Sequence, residues 1–309
     1  MANMTSINEF DIVFISYDEP NADENYADLL EKCPWAKRSH GVYGSDAAHK
    51  AAAEMAETDR FITVDADNIV HADFFNIEVD MSKISNVDVI SWAGKNHINN
   101  LVYGNGGIKC WPKSVVMNMR THENAPSNDP RAQVDFCWNI NYVQMNNVYS
   151  NVMNNGSPLQ AWRAGFREGV KMVLDRGACP SVDDFKERAA TRNLNNLTIW
   201  HNVGLDVENG AWAIYGARLG TYMTMLTEWD YKNVMWFDNF PKLWNEHKDY
   251  NPLEQAEELG LSLRAKLGLP VCTLSPEQSK FFKRHYNADK HNLGPLVREM
   301  DVIRRIEGW

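Results

Sequence analysis

The first 95 residues alternate between short apolar runs and stretches with helical spacing. Apolar residues recur every three or four positions from Tyr26 to Cys33, and an alanine-rich stretch from about Asp46 to Glu57 predicts a second helix. Four short segments are predicted as strands: 11–16, 35–42, 60–64 and 87–92. This β-α-β-α-β order favours a mostly parallel, Rossmann-like sheet flanked by helices, whose ligands lie beyond the carboxyl ends of the strands.

The rest of the chain has a different pattern. Residues 96–155 are rich in asparagine and glycine, which predicts loops, and long loops in a compact enzyme usually build a site. A clear helical pattern covers 158–176, and the chain from about residue 253 is helical and more basic. We therefore expect an α/β fold with a sheet-forming part, 1–155, and a helical part, 156–309, packed as one continuous domain.

Two carboxylates one residue apart, Asp65 and Asp67, follow the apolar run that begins at Arg60. Alternate side chains of an extended strand share a face, so the two acids point the same way and repel each other unless a cation or a donor lies between them. Hard oxygen ligands of this kind suit Mg²⁺ or Mn²⁺, with substrate phosphates completing the shell. The alternative is a carboxylate turn that caps the next helix.

Further candidates lie at strand ends, helix starts and glycine turns. Tyr17 follows the first strand and can stack on a nucleobase, while Asp18 can accept a hydrogen bond from it or from the ribose; the alternative is a turn aromatic packed on a loop. Lys50, near the start of a helix, can meet a phosphate, or it is simply solvated. Gly106 and Gly107 allow the backbone to approach a ligand closely, or they form an ordinary turn.

Two single residues later in the chain have both a catalytic and a structural interpretation. Asp135 starts an apolar segment after a loop, where a carboxylate either caps a helix or acts as a general base for an acceptor hydroxyl. His201 follows an apolar run and is a candidate third metal ligand, since imidazole suits Mn²⁺ better than Mg²⁺. Lone histidines are more often structural.

A stripe of cations, Arg163, Arg167 and Lys171, recurs every four residues beside the apolar stripe of the predicted helix 158–176. It is either a solvated face or a cleft wall that meets phosphates. The chain as a whole carries a net charge of −10. This charge counts against a dedicated nucleic-acid-binding module, but it leaves room for a local basic groove.

The cysteine count and the N-terminus bear on the compartment. The five cysteines are odd in number and show no zinc spacing, so we expect reduced thiols in a cytoplasmic protein. Residues 1–10 lack the basic and apolar regions of a signal peptide, and no apolar run is long enough to span a bilayer.

A first strand that ends in a nucleotide-binding turn, then a helix, then a strand that ends in Asp65-Ala-Asp67 resembles the GT-A superfamily of nucleotide-sugar glycosyltransferases. The resemblance covers roughly residues 8–140. It implies that Asp67 binds Mn²⁺ or Mg²⁺ on the donor diphosphate and that Asp65 contacts the metal or the ribose. It also implies that Tyr17 and Asp18 meet the nucleobase and ribose, and that 1–155 is the nucleotide-sugar-binding half.

The same resemblance bears on two of the single residues. Asp135 lies where many inverting members carry a catalytic acid, although those members often show Glu-Asp and this chain has Val134-Asp135. His201 matches the metal histidine that some members carry near the C-terminus. The resemblance thus implies a base and a third metal ligand.

Three longer segments are similar to glycosyltransferases of T-even-like tailed phages: 44–50 (GSDAAHK), 163–172 (RAGFREGVKM) and 212–218 (WAIYGAR). Some of those proteins are associated with sugar addition, including arabinosyl transfer, to hydroxymethylated cytosine in bacteriophage DNA. The resemblance therefore implies DNA modification in the host cytoplasm. The cation stripe and the basic patch Lys280–His285 are the candidates to track a DNA backbone.

These observations together predict a metal-dependent hexosyl- or pentosyltransferase. Its donor would be a nucleotide sugar, UDP-sugar first, and its favoured acceptor 5-hydroxymethylcytosine in double-stranded DNA. One alternative is a transferase that acts on a glycan or a protein, since such an acceptor needs no basic groove. A second alternative is a non-catalytic nucleotide-binding module whose carboxylates are caps.

Overall fold

The structure is a computed structural model that describes residues 3–124, 136 and 139–286. Its strands are β1 Met4–Ser6, β2 Asp11–Ser16, β3 Lys37–His40, β4 Arg60–Asp65, β5 Asn68–Val70, β6 Glu78–Asp80, β7 Val89–Asn96, β8 Val102–Pro112 and β9 Tyr142–Val152. Its α-helices are α1 Ala22–Lys32, α2 Ser45–Met55, α3 Lys113–Asn118, α4 Pro158–Lys171, α5 Phe185–Arg188, α6 Thr191–Asn202, α7 Gly210–Leu226, α8 Asn239–His247, α9 Pro252–Leu267 and α10 Pro276–His285.

The α/β class predicted from the sequence is confirmed, but the prediction of a mostly parallel sheet is wrong. The main sheet has seven strands in the order β3-β2-β4-β8-β7-β9-β5. β2 runs parallel to β3 and β4, and β7 runs parallel to β9, whereas β8 is antiparallel to both its neighbours and β5 is antiparallel to β9. The chain reverses from β7 into β8 through a short turn, which forces an antiparallel pair because a parallel pair needs a long crossover.

The asparagine- and glycine-rich stretch predicted as loops contains two of the longest strands, β8 and β9. The glycines of β8 serve close strand packing, because a Cβ atom on Gly106 would lie 2.0 Å from the backbone nitrogen of Gly94 in β7. Glycines of this kind predict turns when only the sequence is known. In a sheet they also occur where two strand backbones approach closely.

Three large buried clusters and a small fourth one, Ala93 with Val102, fill the described part of the molecule. Two lie on the sheet and hold apolar residues between Ile7 and Met119. The third is built by the helical part together with Ile98 and Leu101, so the turn after β7 anchors the sheet to the helices. The division of the chain at residue 155 stays a prediction.

Helices α4 and α7 form the centre of the helical part. A Cβ atom on Gly165 or Gly169 of α4 would lie 2.0 or 2.1 Å from a carbonyl oxygen of α7. A Cβ atom on Gly216 or Gly220 of α7 would come equally close to α4, at 2.1 and 2.3 Å. The two helices therefore pack backbone to backbone, which fixes the position of the opposite face of α4.

The cysteine and membrane predictions can be compared with the described residues. Cys33, Cys110, Cys179 and Cys272 are unpaired thiols, and Cys137 lies outside the described residues. Burial raises the pKa of the Cys33 thiol to about 11 and that of Cys110 to about 12, so both are chemically quiet. Within the described ranges, no helix combines the length and apolar character needed to cross a bilayer.

Candidate functional site

The carboxyl ends of three parallel strands meet at one edge of the sheet. In the register, Ile15 of β2 pairs with Asp65 of β4, and Ser16 pairs with His40 of β3. Tyr17 therefore emerges between the end of β3 and the Asp65–Asp67 turn. This is the position where open α/β sheets bind ligands.

Asp67 is the electrostatic centre of this edge. Burial and, after it, the neighbouring carboxylates of Asp65 and Glu19 together raise its pKa to about 7. The side-chain amide of Asn68 opposes this rise by donating a hydrogen bond of 2.8 Å to Oδ1 of Asp67. No ion pair among the described residues neutralises Asp67, so its ionised form is disfavoured, and a cation bound there would stabilise that form.

The predicted glycine loop has a different role from the ligand contact that the sequence indicated. Gly107 has φ of +96°, and a Cβ atom there would lie 2.3 Å from Nδ2 of Asn68. Asn68 is buried, and its Oδ1 accepts a hydrogen bond of 2.8 Å from Ser150. Gly107 therefore makes room for the amide that orients Asp67, while Gly106 packs against β7.

A buried histidine and a buried lysine lie below the acids. Lys109 of β8 pairs with Thr63 of β4, so it shares a face with Asp65, and it is 8% exposed. Its charge acts on His49, whose Nδ1 lies 2.8 Å from the carbonyl oxygen of Ser45. Burial lowers the pKa of His49 and the Asp65 carboxylate opposes that shift, so a neutral imidazole supports the floor of the site.

The phosphate-binding role predicted for Lys50 does not fit the start of α2. Lys50 forms an ion pair of 2.5 Å with Asp46. The amides of Ser45 and Asp46 at the start of the helix donate to the carboxylate of Glu123, at 2.8 and 3.2 Å. Glu123 therefore occupies the end of the helix that would attract an anion.

Two exposed tyrosines line the next part of the edge. The rings of Tyr17 and Tyr43 are 46% and 65% exposed and meet edge to face at 6.2 Å between centroids. Tyr43 donates a hydrogen bond of 2.6 Å to Oδ2 of Asp238, which precedes α8. Asp18 is exposed to solvent. In the turn after β2, Glu19 is the residue whose charge acts on Asp67. Its carboxylate accepts a hydrogen bond from the backbone amide of Tyr17.

The cation stripe of α4 forms the opposite wall. The guanidinium carbons of Arg163 and Arg167 lie 5.2 and 4.9 Å from the ring centroid of Phe237. Arg167 interacts electrostatically with Asp67, which places this residue of the predicted stripe on the same side of the molecule as the predicted acid pair. Lys171, one turn further along, acts on buried His122 instead, where burial together with Arg167 and Lys171 lowers the histidine pKa to about 4.

His201 is not brought to the acid pair. It lies buried in α6, where its Nε2 is 3.0 Å from Oγ1 of Thr221 in α7, and burial lowers its pKa to about 3. Its prediction as a third metal ligand fails on this geometry, and the alternative, a structural histidine, fits. Asp135, the predicted general base, lies outside the described residues.

The acid pair nevertheless fits a divalent ion of the predicted kind. Among the described residues, no three His, Cys, Asp or Glu side chains are grouped to hold a metal, so this part of the chain would supply the carboxylates of Asp65 and Asp67. Mg²⁺ is commonly held by one or two carboxylates, with water and substrate phosphates as its other ligands. The unneutralised charge at Asp67 is the observation that supports the fit.

Four residues of the cleft were missed in the sequence: Glu19, Tyr43, Lys109 and Phe237. Glu19 belongs to a turn that was recognised, so its proximity to the acids was within reach of sequence reasoning. Lys109 lies in a stretch that the sequence predicted as a loop. Phe237 lies about 70 residues after α4 in the chain. Neither residue belongs to a local sequence pattern that indicates a position in the cleft.

The comparisons with known proteins add no relative from which to transfer a function. No protein-family model matches the chain, and no curated protein matches it. What the fold and the cleft define is a mixed α/β protein with an acidic floor, a cationic wall and an aromatic rim. A functional assignment depends on what that combination can bind.

Proposed function

We propose that this protein is a metal-dependent glycosyltransferase that moves a sugar from a nucleoside diphosphate donor to an acceptor hydroxyl. The observation that carries the proposal is the position of Asp65 and Asp67 together at the carboxyl edge of β4, and the raised pKa of Asp67 agrees with it. A ligand that fits an acidic floor and a cationic wall together is a divalent cation with a diphosphate attached to it. The resemblance to the GT-A superfamily supports the same ligand.

The residues of the cleft divide the work of binding. Asp67, oriented by Asn68, and Asp65 would hold Mg²⁺ or Mn²⁺, and Tyr17 and Tyr43 offer ring faces to the nucleobase. A divalent ion bound there supplies Lewis-acid stabilisation of the departing diphosphate. Lys109 shares a face with Asp65, and both residues act electrostatically on the buried His49, so a positive charge is available on the floor of the cleft.

The transfer itself forms a bond between the acceptor oxygen and the anomeric carbon, while the bond from that carbon to the diphosphate oxygen breaks. The acceptor hydroxyl loses its proton. In an inverting reaction a carboxylate receives it, and Asp135 is the residue we propose on the strength of the resemblance alone. A retaining reaction needs no such base.

The acceptor that we propose is 5-hydroxymethylcytosine in double-stranded DNA, by the resemblance to phage glycosyltransferases. The exposed Lys280 and Arg284 of α10 are available to a DNA backbone, whereas Lys283 is engaged by Asp206 at 2.9 Å. DNA binding releases counterions, so transfer to DNA falls steeply as salt is raised. Transfer that is indifferent to salt would instead favour a glycan or protein acceptor.

The test begins with binding. The four common nucleoside diphosphates are titrated by calorimetry with and without Mn²⁺, for the wild type, for Asp67→Asn and for the exposed control Asp73→Asn. We expect Mn²⁺-dependent binding that Asp67→Asn weakens at least tenfold and the control preserves. The matching nucleotide sugar is then incubated with hydroxymethylated DNA, and the nucleosides are weighed by mass spectrometry. Metal-dependent binding that survives Asp67→Asn refutes the assignment.

A further inference from the structure

Two arginines of the cleft lie side by side in an arrangement that the packing of the fold does not require. Arg163 and Arg167 lie one turn apart on α4, and both guanidiniums lie over the ring of Phe237, at 5.2 and 4.9 Å from its centroid. Burial lowers the pKa of Arg167, Glu168 opposes that shift, and the like charge of Arg163 adds to it. Phe237 supports both cations through its ring face, which holds the pair together in spite of the repulsion.

The hydrogen-bonding capacity of this pair is incompletely used. In the described part of the chain, Nε of Arg167 is shielded from solvent and has no hydrogen-bond partner. The arginines that form ion pairs with carboxylates in the same part are Arg38, Arg188 and Arg218. A shielded guanidinium nitrogen without an acceptor is costly, and an anionic ligand removes that cost.

The charge of the opposite floor limits what this anion can be. Arg167 interacts electrostatically with Asp67 across the cleft without forming an ion pair with it. A free anion between them would be attracted by the arginines and repelled by Asp65, Asp67 and Glu19. An anion that carries its own divalent cation on one side satisfies both walls.

We propose that Arg163 and Arg167 bind the diphosphate of the sugar donor, on the side opposite to the Asp65–Asp67 carboxylates. The inference rests on the proposed function and deepens it, because it moves the arginine pair from the DNA backbone to the donor. Arginine suits the role, since its planar fork donates two parallel hydrogen bonds to phosphate oxygens. Two guanidiniums also neutralise charge on the diphosphate as it leaves.

The experiment compares a nucleoside diphosphate with its nucleoside, because only the first has the group that the arginines are inferred to bind. Uridine diphosphate and uridine are titrated with Mn²⁺ present, for the wild type, Arg163→Gln, Arg167→Gln and the exposed control Arg192→Gln of α6. We expect the preference for the diphosphate to fall at least tenfold in both α4 variants, with uridine affinity unchanged. The control keeps the preference.

Two conservative variants guard against misfolding. Arg167→Lys keeps the charge and loses the fork, so it should show an intermediate preference for the diphosphate. Phe237→Leu keeps an apolar support and loses the ring face, so it should weaken diphosphate binding less than Arg167→Gln does. Circular dichroism melts confirm that each variant is folded before it is titrated.

The outcomes separate the two proposals. If the wild type binds uridine diphosphate with Mn²⁺ and Arg167→Gln binds it equally well, the role of the arginine pair is refuted while the proposed function stands. If the α4 variants bind the diphosphate normally but lose transfer to DNA, the pair contacts the acceptor and the inference is also refuted. If the wild type binds none of the four nucleoside diphosphates, both proposals fall.

Discussion

The phenol oxygen of Tyr43 lies 2.6 Å from Oδ2 of Asp238, and this hydrogen bond joins the segment after β3 to the start of α8. Asp238 follows Phe237, the residue on which Arg163 and Arg167 rest. The aromatic rim on the sheet side and the cationic wall on the helix side are therefore tied together by one pair of side chains. The hydrogen bond to Asp238 raises the pKa of Tyr43.

Loss of that hydrogen bond should alter binding more than stability. Tyr43→Phe keeps the ring beside Tyr17, but it frees the Phe237 segment. Because Tyr43 is exposed, we expect an unchanged midpoint of urea unfolding and a weaker diphosphate affinity. Calorimetry and urea denaturation of the same sample measure both. A lowered midpoint with unchanged affinity would show that the contact is structural only.

Removal of charge from Asp67 should stabilise the empty protein. The raised pKa of this residue means that the folded state disfavours its ionised form, and Asn keeps the shape of the side chain. We expect Asp67→Asn to raise the free energy of unfolding at pH 8 by roughly 1–2 kcal/mol, discounted for partial exposure from about 1.4 kcal/mol per pKa unit. Urea denaturation without metal is the measurement.

The control is Asp73→Asn, which removes an exposed charge and should leave the free energy of unfolding within about 0.5 kcal/mol of the wild type. A loss of stability in Asp67→Asn would show that the carboxylate is a structural acceptor in the fold. It would then be a cap, as the alternative interpretation of the sequence held.

Gly107→Ala should disturb Asp67 indirectly. The substitution places a methyl group against Asn68 and strains a backbone with φ of +96°. We expect a loss of about 2–4 kcal/mol in the free energy of unfolding, together with weaker Mn²⁺-dependent binding. Gly41→Ala is the matched control, because Gly41 has φ of +75° and open space around its missing Cβ.

The control separates the backbone cost from the clash. Gly41→Ala should lose only about 1 kcal/mol and keep full binding. Equal effects of the two substitutions on stability and binding would mean that the side chain of Asn68 moves away from the new methyl group without affecting Asp67. Asn68 would then have no part in orienting Asp67.

Protonation of His201 should destabilise the protein in acid. In the unfolded chain a histidine binds its proton with a pKa near 6.5, whereas in the fold burial, with a smaller contribution from Arg218, lowers the pKa of His201 to about 3. Between these values the unfolded state holds the extra proton, so the free energy of unfolding falls as the pH falls below about 6.5. The slope from one such histidine is about 1.4 kcal/mol per pH unit.

Urea unfolding curves at several pH values between 7.5 and 5 measure this slope. His201→Asn should remove the part of the slope that comes from one bound proton, and it should leave Mn²⁺-dependent nucleotide binding intact. His122→Asn tests a second buried histidine, whose pKa of about 4 gives the same sign. An unchanged slope in His201→Asn, or a loss of metal dependence, would contradict the structural role assigned here.

Arg218 should be essential for the helical core. It is fully buried in α7 and donates to the carbonyl oxygens of His201 in α6 and Ala256 in α9, at 2.6 to 3.0 Å. Arg218→Met removes all of these hydrogen bonds and leaves the carbonyl of His201, in the last turn of α6, without its donor, so we expect a loss of about 3–5 kcal/mol in the free energy of unfolding. The exposed control Arg284→Met should change it by less than about 0.5 kcal/mol.

Local patterns were sufficient to predict the elements with strong periodicity. The strand Asp11–Ser16 has the predicted bounds, and the predicted helix 46–57 and strand 60–64 differ from α2 and β4 by one or two residues. The position of Asp65 at the sheet edge followed from the end of the apolar run, whereas Asp67 lies in the turn after β4, so the shared face predicted from strand alternation stays a prediction. These predictions depended on neighbours within a few residues.

The predictions that failed depended on partners that are distant in sequence. β8 and β9 look like loops because their glycines and asparagines are used against neighbouring strands, as Gly106 is against Gly94. His201 follows an apolar run in either interpretation, and only the position of Thr221 shows that it is a core residue. The pairing of α4 with Phe237 had no local sign at all.

The glycine contacts between α4 and α7 have a consequence for how the cleft responds to a ligand. A helix seated on another backbone at four positions can neither slide nor rotate without losing the whole contact, so the two arginines are preorganised. Ligand binding should then slow amide hydrogen exchange in the segments around Tyr43 and Phe237, while α4 keeps the same protection with and without ligand. In this protein the aromatic rim, Tyr17 and Tyr43, is the part of the cleft that we expect to move when a ligand binds. The arginine wall on α4 keeps its position.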